Sequence, residues 1–319
     1  MIITAPLSNT GNGKGGTEMF YLLITMCCAT SMGVIVKLSE LRHANRYAVN
    51  FFNSLSGMVG AFLALGGLAL YDSGWFSAFF AELPAVFGQM GQFSLAASAG
   101  YALALAAFGG ACNYVAYLSL QVSTARNGAA MTSTFNKVGS AVPMLLSVLF
   151  LGESPKLVQV IGSLIALAGI LIIYSRREES SVISLKLALF GTLFFGGFCD
   201  FLSKLYETFA QAEMQPLYVF YYFLFAAVIA LIVVLLKDRR IRWQDVAFGL
   251  AAGIPALFHS KFLLLTLGRL PAFVVFPIYS VGNIVLMNII NLLFFKEPLT
   301  RRQFFAIGLM IVAVALLNL

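Results

Sequence analysis

"LFLGESPKLVQVIGSLIALAGI" (residues 149–170) and "LFFKEPLTRRQFFAIGLMIVAV" (293–314) are one pattern written twice, at a constant offset of 144. Glu153 meets Glu297, Gln159 meets Gln303, and Gly162 and Gly169 meet Ala306 and Ala313. Just upstream, "NKVGS" (136–140) answers "YSVGN" (279–283) at an offset of 143, and at the front of each half "KLSE" (37–40) answers "KLYE" (204–207). A chain built of two such copies is a candidate for the repeated halves of a membrane carrier.

Composition sets the solvent. The chain has 319 residues, of which 60% are hydrophobic and only 10% charged, with a mean hydropathy of +0.91. A soluble domain of this length needs more surface charge. Ten apolar runs approach the ~20 residues that cross a bilayer. They lie near 19–38, 47–71, 96–119, 127–150, 157–174, 185–206, 216–236, 246–267, 271–295 and 303–318. The predicted fold is all-α and integral to the membrane, with ten transmembrane helices. Residues 1–18 are a polar tail, 19–174 the first five-helix repeat and 185–318 the second. An odd number of spans per copy makes the second enter from the opposite side, so the repeat is inverted. The segment 72–95 is too interrupted to span and reads as a loop lying on the membrane.

Charge gives orientation. Thirteen cations (Arg42, Arg46, Arg126, Arg176, Arg177, Lys186, Lys237, Arg239, Arg240, Arg242, Lys296, Arg301 and Arg302) fall on one side, against Lys14, Lys156 and Arg269 on the other. The basic side is expected to face the cytoplasm, with both termini away from it, in a bacterial inner or plasma membrane. The net charge of +7 is thereby read as topology, and no nucleic-acid partner is expected. The expected partners are the lipid bilayer and a small-molecule substrate, as a monomer or a homodimer. Cys27, Cys28, Cys112 and Cys199 lie inside spans and read as small packing residues. "GNGKGGT" (11–17) lacks the register of a phosphate-binding loop. There is no HExxH pair, acid cluster or zinc spacing, so no catalytic residue, metal or cofactor is expected and the chain reads as no enzyme.

The turn after the fourth and ninth spans, "LGESP" and "FKEPLT", followed by a Gln and two small residues seven apart, resembles that of the drug/metabolite transporter superfamily, EamA-like type. The likeness covers essentially 19–318. It implies a ten-helix secondary transporter that binds substrate in a central cavity between the halves and alternates access by rocking helices. "STFNKVGSAVPMLLSVLFL" (133–151) also resembles the fourth helix of the nucleotide-sugar transporter branch, where a lysine near this point faces the substrate. The chain lacks that branch's asparagine-rich signatures.

Four lysines fall within or beside spans. Lys137 stands about ten residues into its span, where a charge costs on the order of 3 kcal/mol on insertion scales, so it needs a watery cavity or a partner. In a cavity it suits a carboxylate or phosphate, favouring an anionic or zwitterionic metabolite. The alternatives are an exporter of amino acids or hydrophobic amines using Asp200 and the tyrosines, and a scaffold or enzyme that transports nothing. Asp200 and Lys204, at i and i+4, read either as a self-neutralising pair or as a coupling site. His259 and Lys261, two apart, point in different directions. Lys37 either snorkels or mirrors Lys204. Asn136, Asn113, Tyr117, Tyr279, Asn283 and Asn53 complete the candidate pocket, or else serve helix-to-helix hydrogen bonding. Glu153 and Glu297 are expected to cap the helices that follow them.

Overall fold

The computed structural model describes residues 15–127, 129–174, 186–294 and 300–318, and among these the regular structure is helical throughout. The first half contributes α1 (Gly15–Leu41), α2 (Arg46–Ala64), α3 (Ser73–Gln89), α4 (Leu95–Asn127), α5 (Ala129–Val138), α6 (Ala141–Leu151) and α7 (Leu157–Tyr174). The second contributes α8 (Lys186–Phe209), α9 (Gln215–Lys237), α10 (Trp243–Leu267), α11 (Ala272–Phe294) and α12 (Arg301–Leu317). Of these, α1, α4, α8, α9, α10 and α11 carry stretches long and apolar enough to cross a membrane.

Packing follows the repeat. α2 lies against α9 and α10, and α9 against α2 and α4; α1 lies against α10 and α11, and α8 against α4, α5 and α6. For these contacts, exchanging each helix for its counterpart returns the same set of neighbours, whereas α3, which lies against α4, has no counterpart. The contact between α7 and α12 shows the two-fold most directly. A Cβ on Gly162 would meet the Ala313 carbonyl at 3.1 Å, and one on Gly169 would meet that of Ala306 at 3.4 Å. Since 306 and 313 are the repeat equivalents of 162 and 169, residue i touches the equivalent of j while j touches the equivalent of i. That is an isologous contact within one chain, and its antiparallel sense makes the repeat inverted.

The repeated glutamine closes both copies alike. Gln159 Oε1 accepts from the Lys156 backbone N–H at 3.1 Å, and Gln303 Oε1 from that of Thr300 at 2.9 Å, so each caps the start of its own helix. Glu153 behaves differently from expectation. Its two oxygens accept from the N–H groups of Ala272 (2.9 Å) and Phe273 (3.2 Å), so it caps α11 of the other half rather than α7. Glu297 lies outside the described residues.

Three segments depart from the sequence reading. The segment expected as a membrane-surface loop contains α3, capped where Asp72 accepts from Gly74 N–H at 2.8 Å; Phe79 and Val86, seven apart and therefore on one face, are buried. The second span ends at Ala64 rather than 71, because Gly66 and Gly67 take positive φ values of 60° and 92° that no helix continues. The fourth span is not one helix. It breaks at Gly139 and Ser140, between α5 and α6, where α8 approaches so closely that a Cβ on Gly197 would collide with the Gly139 carbonyl.

Close approach recurs at equivalent points. A Cβ on Gly110 of α4 would sit 2.8 Å from Phe225 Cβ of α9, and one on Gly253 of α10 would sit 2.5 Å from the Asn53 carbonyl of α2. These glycines are 143 apart, the offset that relates α5 to α11. Gly110→Val and Gly253→Val should therefore each destabilise the fold by about 1–3 kcal/mol through overpacking, read as a lowered thermal midpoint in detergent, whereas Gly308→Val, whose added Cβ meets nothing within 4 Å, should change it little.

Candidate functional site

Where the halves meet lies a cavity of about 330 Å³, lined from α1, α2, α4, α5, α8, α9, α10 and α11. Its walls come in repeat pairs. Asn113 faces it with Ala256, Ala116 with His259 and Tyr117 with Ser260, all 143 apart; so do Asn136 with Tyr279 and Lys137 with Ser280. The backbone frame is two-fold, but the chemistry on it is not.

Lys137 owes its position to the break in the fourth span. It stands in the last turn of α5, where the backbone carbonyls leave a partial negative charge of about half an elementary charge that favours a cation. Ser140 Oγ donates to the Lys137 carbonyl at 2.9 Å and helps satisfy that helix end. A discontinuous helix whose end points into a central cavity is a recurrent way of building carrier sites. Asp200 of α8 lines the same cavity and lies within electrostatic range of Lys137, with no direct ion pair between the two. Among the described residues, the cavity is thus lined by one formal positive and one formal negative charge, beside His259, Tyr218, Tyr222 and Tyr279. His259 Nδ1 is 3.4 Å from the Thr25 carbonyl, and its ring centroid is 5.5 Å from that of Tyr279.

The expected pairing of Asp200 with Lys204 is not formed. Lys204 Nζ binds Glu153 Oε1 at 3.2 Å and donates to the carbonyls of Leu267 (3.0 Å) and Leu270 (3.3 Å). Its side chain points along α8 towards the helix end, away from the cavity, because three acceptors converge there. This ion pair is only 11% and 13% exposed. Together with the Glu153 caps it ties α8, α10, α11 and the turn after α6 into one knot at the end of the bundle remote from the basic loops. At the basic end, Asn45 N–H donates to Asp245 Oδ1 at 2.8 Å, and Arg242 donates to the His43 carbonyl.

Other expected pocket residues lie elsewhere. Lys261 is on the exposed face of α10, since two helical steps from the cavity-lining His259 carry it round the helix. Asn283 sits one turn beyond Tyr279, behind the cavity wall, and accepts from Thr30 Oγ1 of α1 at 3.5 Å. Lys37 donates to Asn291 Oδ1 at 3.0 Å, tying α1 to α11 outside the cavity. The polar cavity residues missed from sequence are Tyr218, Tyr222, Ser140, Thr192, Ser203, Ser260 and Ser280. Tyr222 is the repeat equivalent of Asn53, standing 169 residues after it as Phe225 does after Ser56, whose Cβ meets Gly253 as that of Phe225 meets Gly110; this register comes from the packing and not from the sequence.

A model of the EamA-like transporter family matches residues 16–175, just over half of the chain. The chain belongs to the EamA-like transporter family, a group of multi-span membrane transporters within the drug/metabolite transporter superfamily. Solved structures match as well: one crystal structure of a protein, 11% identical, superposes with a TM-score of 0.70 over 94% of this chain and 96% of that one, which concerns the fold alone. No curated protein matches.

Glu153→Ala removes the Lys204 partner and both α11 caps at once. It should lower stability by about 1.5–3 kcal/mol, the range for hydrogen bonds to a charged group, seen as an earlier thermal transition. Glu40→Ala, which disrupts the exposed Glu40–Arg46 pair, should cost under about 1 kcal/mol.

Proposed function

We propose that this protein is a secondary transporter that carries a small polar metabolite, zwitterionic or anionic, by alternating access of the central cavity to the two sides of the membrane. The observation that carries the reading is the placement of Lys137 at the end of the half-helix α5, lining the cavity across which Asp200 also stands. Lys137 offers three donors to a carboxylate or phosphate, and Asp200 accepts from an ammonium group. Neither is cancelled by direct contact with the other, so a ligand bearing both charges replaces the hydration that each loses.

The rival reading, an exporter of cationic amines, takes its support from Asp200 and the cavity tyrosines, which suit a cation. Lys137 opposes it, because a fixed positive charge in the same 330 Å³ repels a lone cation. The inverted halves supply two conformations related by the same two-fold. In this reading the basic loops face the cytoplasm, and the Lys204–Glu153 knot is the closed outer gate of an inward-facing state.

A thermal-shift screen against nucleotides, organic acids, amino acids and amines identifies the ligand, since a compound that prefers the folded state raises its stability. Lys137→Met should weaken binding of a zwitterion or anion at least tenfold, about 1.4 kcal/mol, while Asp200→Asn should weaken a zwitterion but spare an anion. Tighter binding of an amine by Lys137→Met would favour the cation exporter. For the gate, Cys199 lines the cavity and is buried. With Cys27, Cys28 and Cys112 replaced by Ser, Glu153→Ala should speed labelling of Cys199 by a membrane-impermeant maleimide from the outer side; an unchanged rate would remove the gate from this knot.

A further inference from the structure

A second group of polar side chains clusters between the cavity and the outer end of the bundle. Tyr101 of α4, Tyr206 of α8 and Tyr218 of α9 are only 4%, 1% and 2% exposed, and the hydroxyl of each lacks a hydrogen-bond partner. Beside them, Glu207 Oε1 is likewise buried and unpartnered, while Glu207 Oε2 accepts from Gln215 Nε2 at 2.9 Å. A buried polar group without a partner costs about 1–3 kcal/mol and is uncommon. Four of them in one neighbourhood call for a reason.

Their arrangement is ordered. The rings of Tyr101 and Tyr206 lie 9° from parallel with centroids 6.1 Å apart, and those of Tyr206 and Tyr218 lie 13° from parallel at 4.2 Å. Tyr218 lines the central cavity and lies within electrostatic range of Asp200 and of Glu207. Asp200, Ser203 and Glu207 stand at i, i+3 and i+7, on one face of α8, with about 10 Å of helix rise between the two carboxylates. Three or four hydrogen bonds of about 2.8 Å bridge that span. Among the described residues the other end of the bundle has no such arrangement: the repeat equivalents of Tyr206 and Glu207 are Ser39 and Glu40, and Glu40 is exposed and paired with Arg46.

We infer that Glu207, Tyr206, Tyr101 and Tyr218, bridged by water, form a proton path from the outer aqueous phase to Asp200. A proton from that phase is taken up by the Glu207 carboxylate. Each hydroxyl along the file accepts one proton and releases its own, and the last is delivered to the Asp200 carboxylate, which becomes neutral; the return journey restores every group. The charges facing Glu207 are Lys204 on its own helix and, from α9, Gln215 and Tyr218 as polar neighbours. Those facing Asp200 are Lys137 from α5, Tyr218 and Tyr222 from α9 and Tyr279 from α11, with Cys199 beside it. Protonating Asp200 changes the formal charge of the Lys137–Asp200 pair from zero to +1, so the proton alters what the cavity prefers to bind. The inference rests on the cavity reading above and adds an ion to its cargo.

The test uses the full chain in liposomes loaded with a pH-reporting dye, with the twenty protein amino acids, tritiated, as zwitterionic probes. Wild-type protein should move protons when the probes are added, and should exchange them across the membrane without a pH gradient. Tyr206→Phe, Tyr101→Phe and Glu207→Gln, none of which lines the cavity, should slow proton movement at least tenfold while exchange and the probe-induced thermal shift stay within twofold of wild type. Proton movement at the wild-type rate in all three variants overturns the path. So does an equal loss of exchange, which would mark a structural role. Wild-type exchange without proton movement defeats the path and leaves the cavity reading standing. Absence of both exchange and thermal shift in wild type defeats the two together.

Discussion

The free energy of holding an ammonium group at the depth of the bilayer governs this architecture. A lysine there costs on the order of 3 kcal/mol on insertion scales, and the fold offsets that for Lys137 in three ways described above. It ends a helix at the residue, it opens a cavity beside it, and it sets a carboxylate within electrostatic range. None of the three alone requires the others, but in the reading proposed above a charge supported by all of them remains available to a ligand. Lys204 shows the contrast. Its charge is consumed by Glu153 and two carbonyls, and it fastens helices together.

The fold was legible because it is written twice. The offset of 144 that aligns the two turns returns in three dimensions as the crossed contact of Gly162 with Ala313 and of Gly169 with Ala306. Hydrophobic runs also sufficed to find the spans. They could not find the break in the fourth, since "KVGSAVP" and its counterpart "SVGNIVL" differ little in apolar content. What splits one and spares the other is Pro143, where the counterpart has Leu286: proline has no N–H to donate to the Gly139 carbonyl four residues earlier and its ring crowds that carbonyl, and α8 then packs into the break through Gly197.

The candidate site was legible by residue type and less so by geometry. A charged side chain inside a span is conspicuous, so Lys137, Asp200 and His259 stood out, and the cavity gathers all three. Partnership was not legible. Spacing on one helix paired Asp200 with Lys204, whereas the acceptor for Lys204 comes from a turn about fifty residues earlier and from backbone carbonyls, which no sequence pattern marks. The tyrosines of α9 were overlooked for a related reason: "YVFYYF" (218–223) reads as bulk apolar surface until a partner helix decides which rings turn inward.

The walls of the cavity obey the two-fold while Lys137 faces Ser280 across it, and Asp200 has only Gly33 at the matching place, four residues before Lys37 as Asp200 is before Lys204. Under the alternating access proposed above, rotating the halves past one another would exchange the geometry of the two mouths but not the position of the charges relative to them. The half-saturating concentrations measured from opposite faces of the membrane are then unequal, while the final distribution of solute, fixed by the driving gradients alone, is untouched. On the proposed mechanism such a molecule would be a kinetic rectifier: quick to load from one compartment, slow from the other.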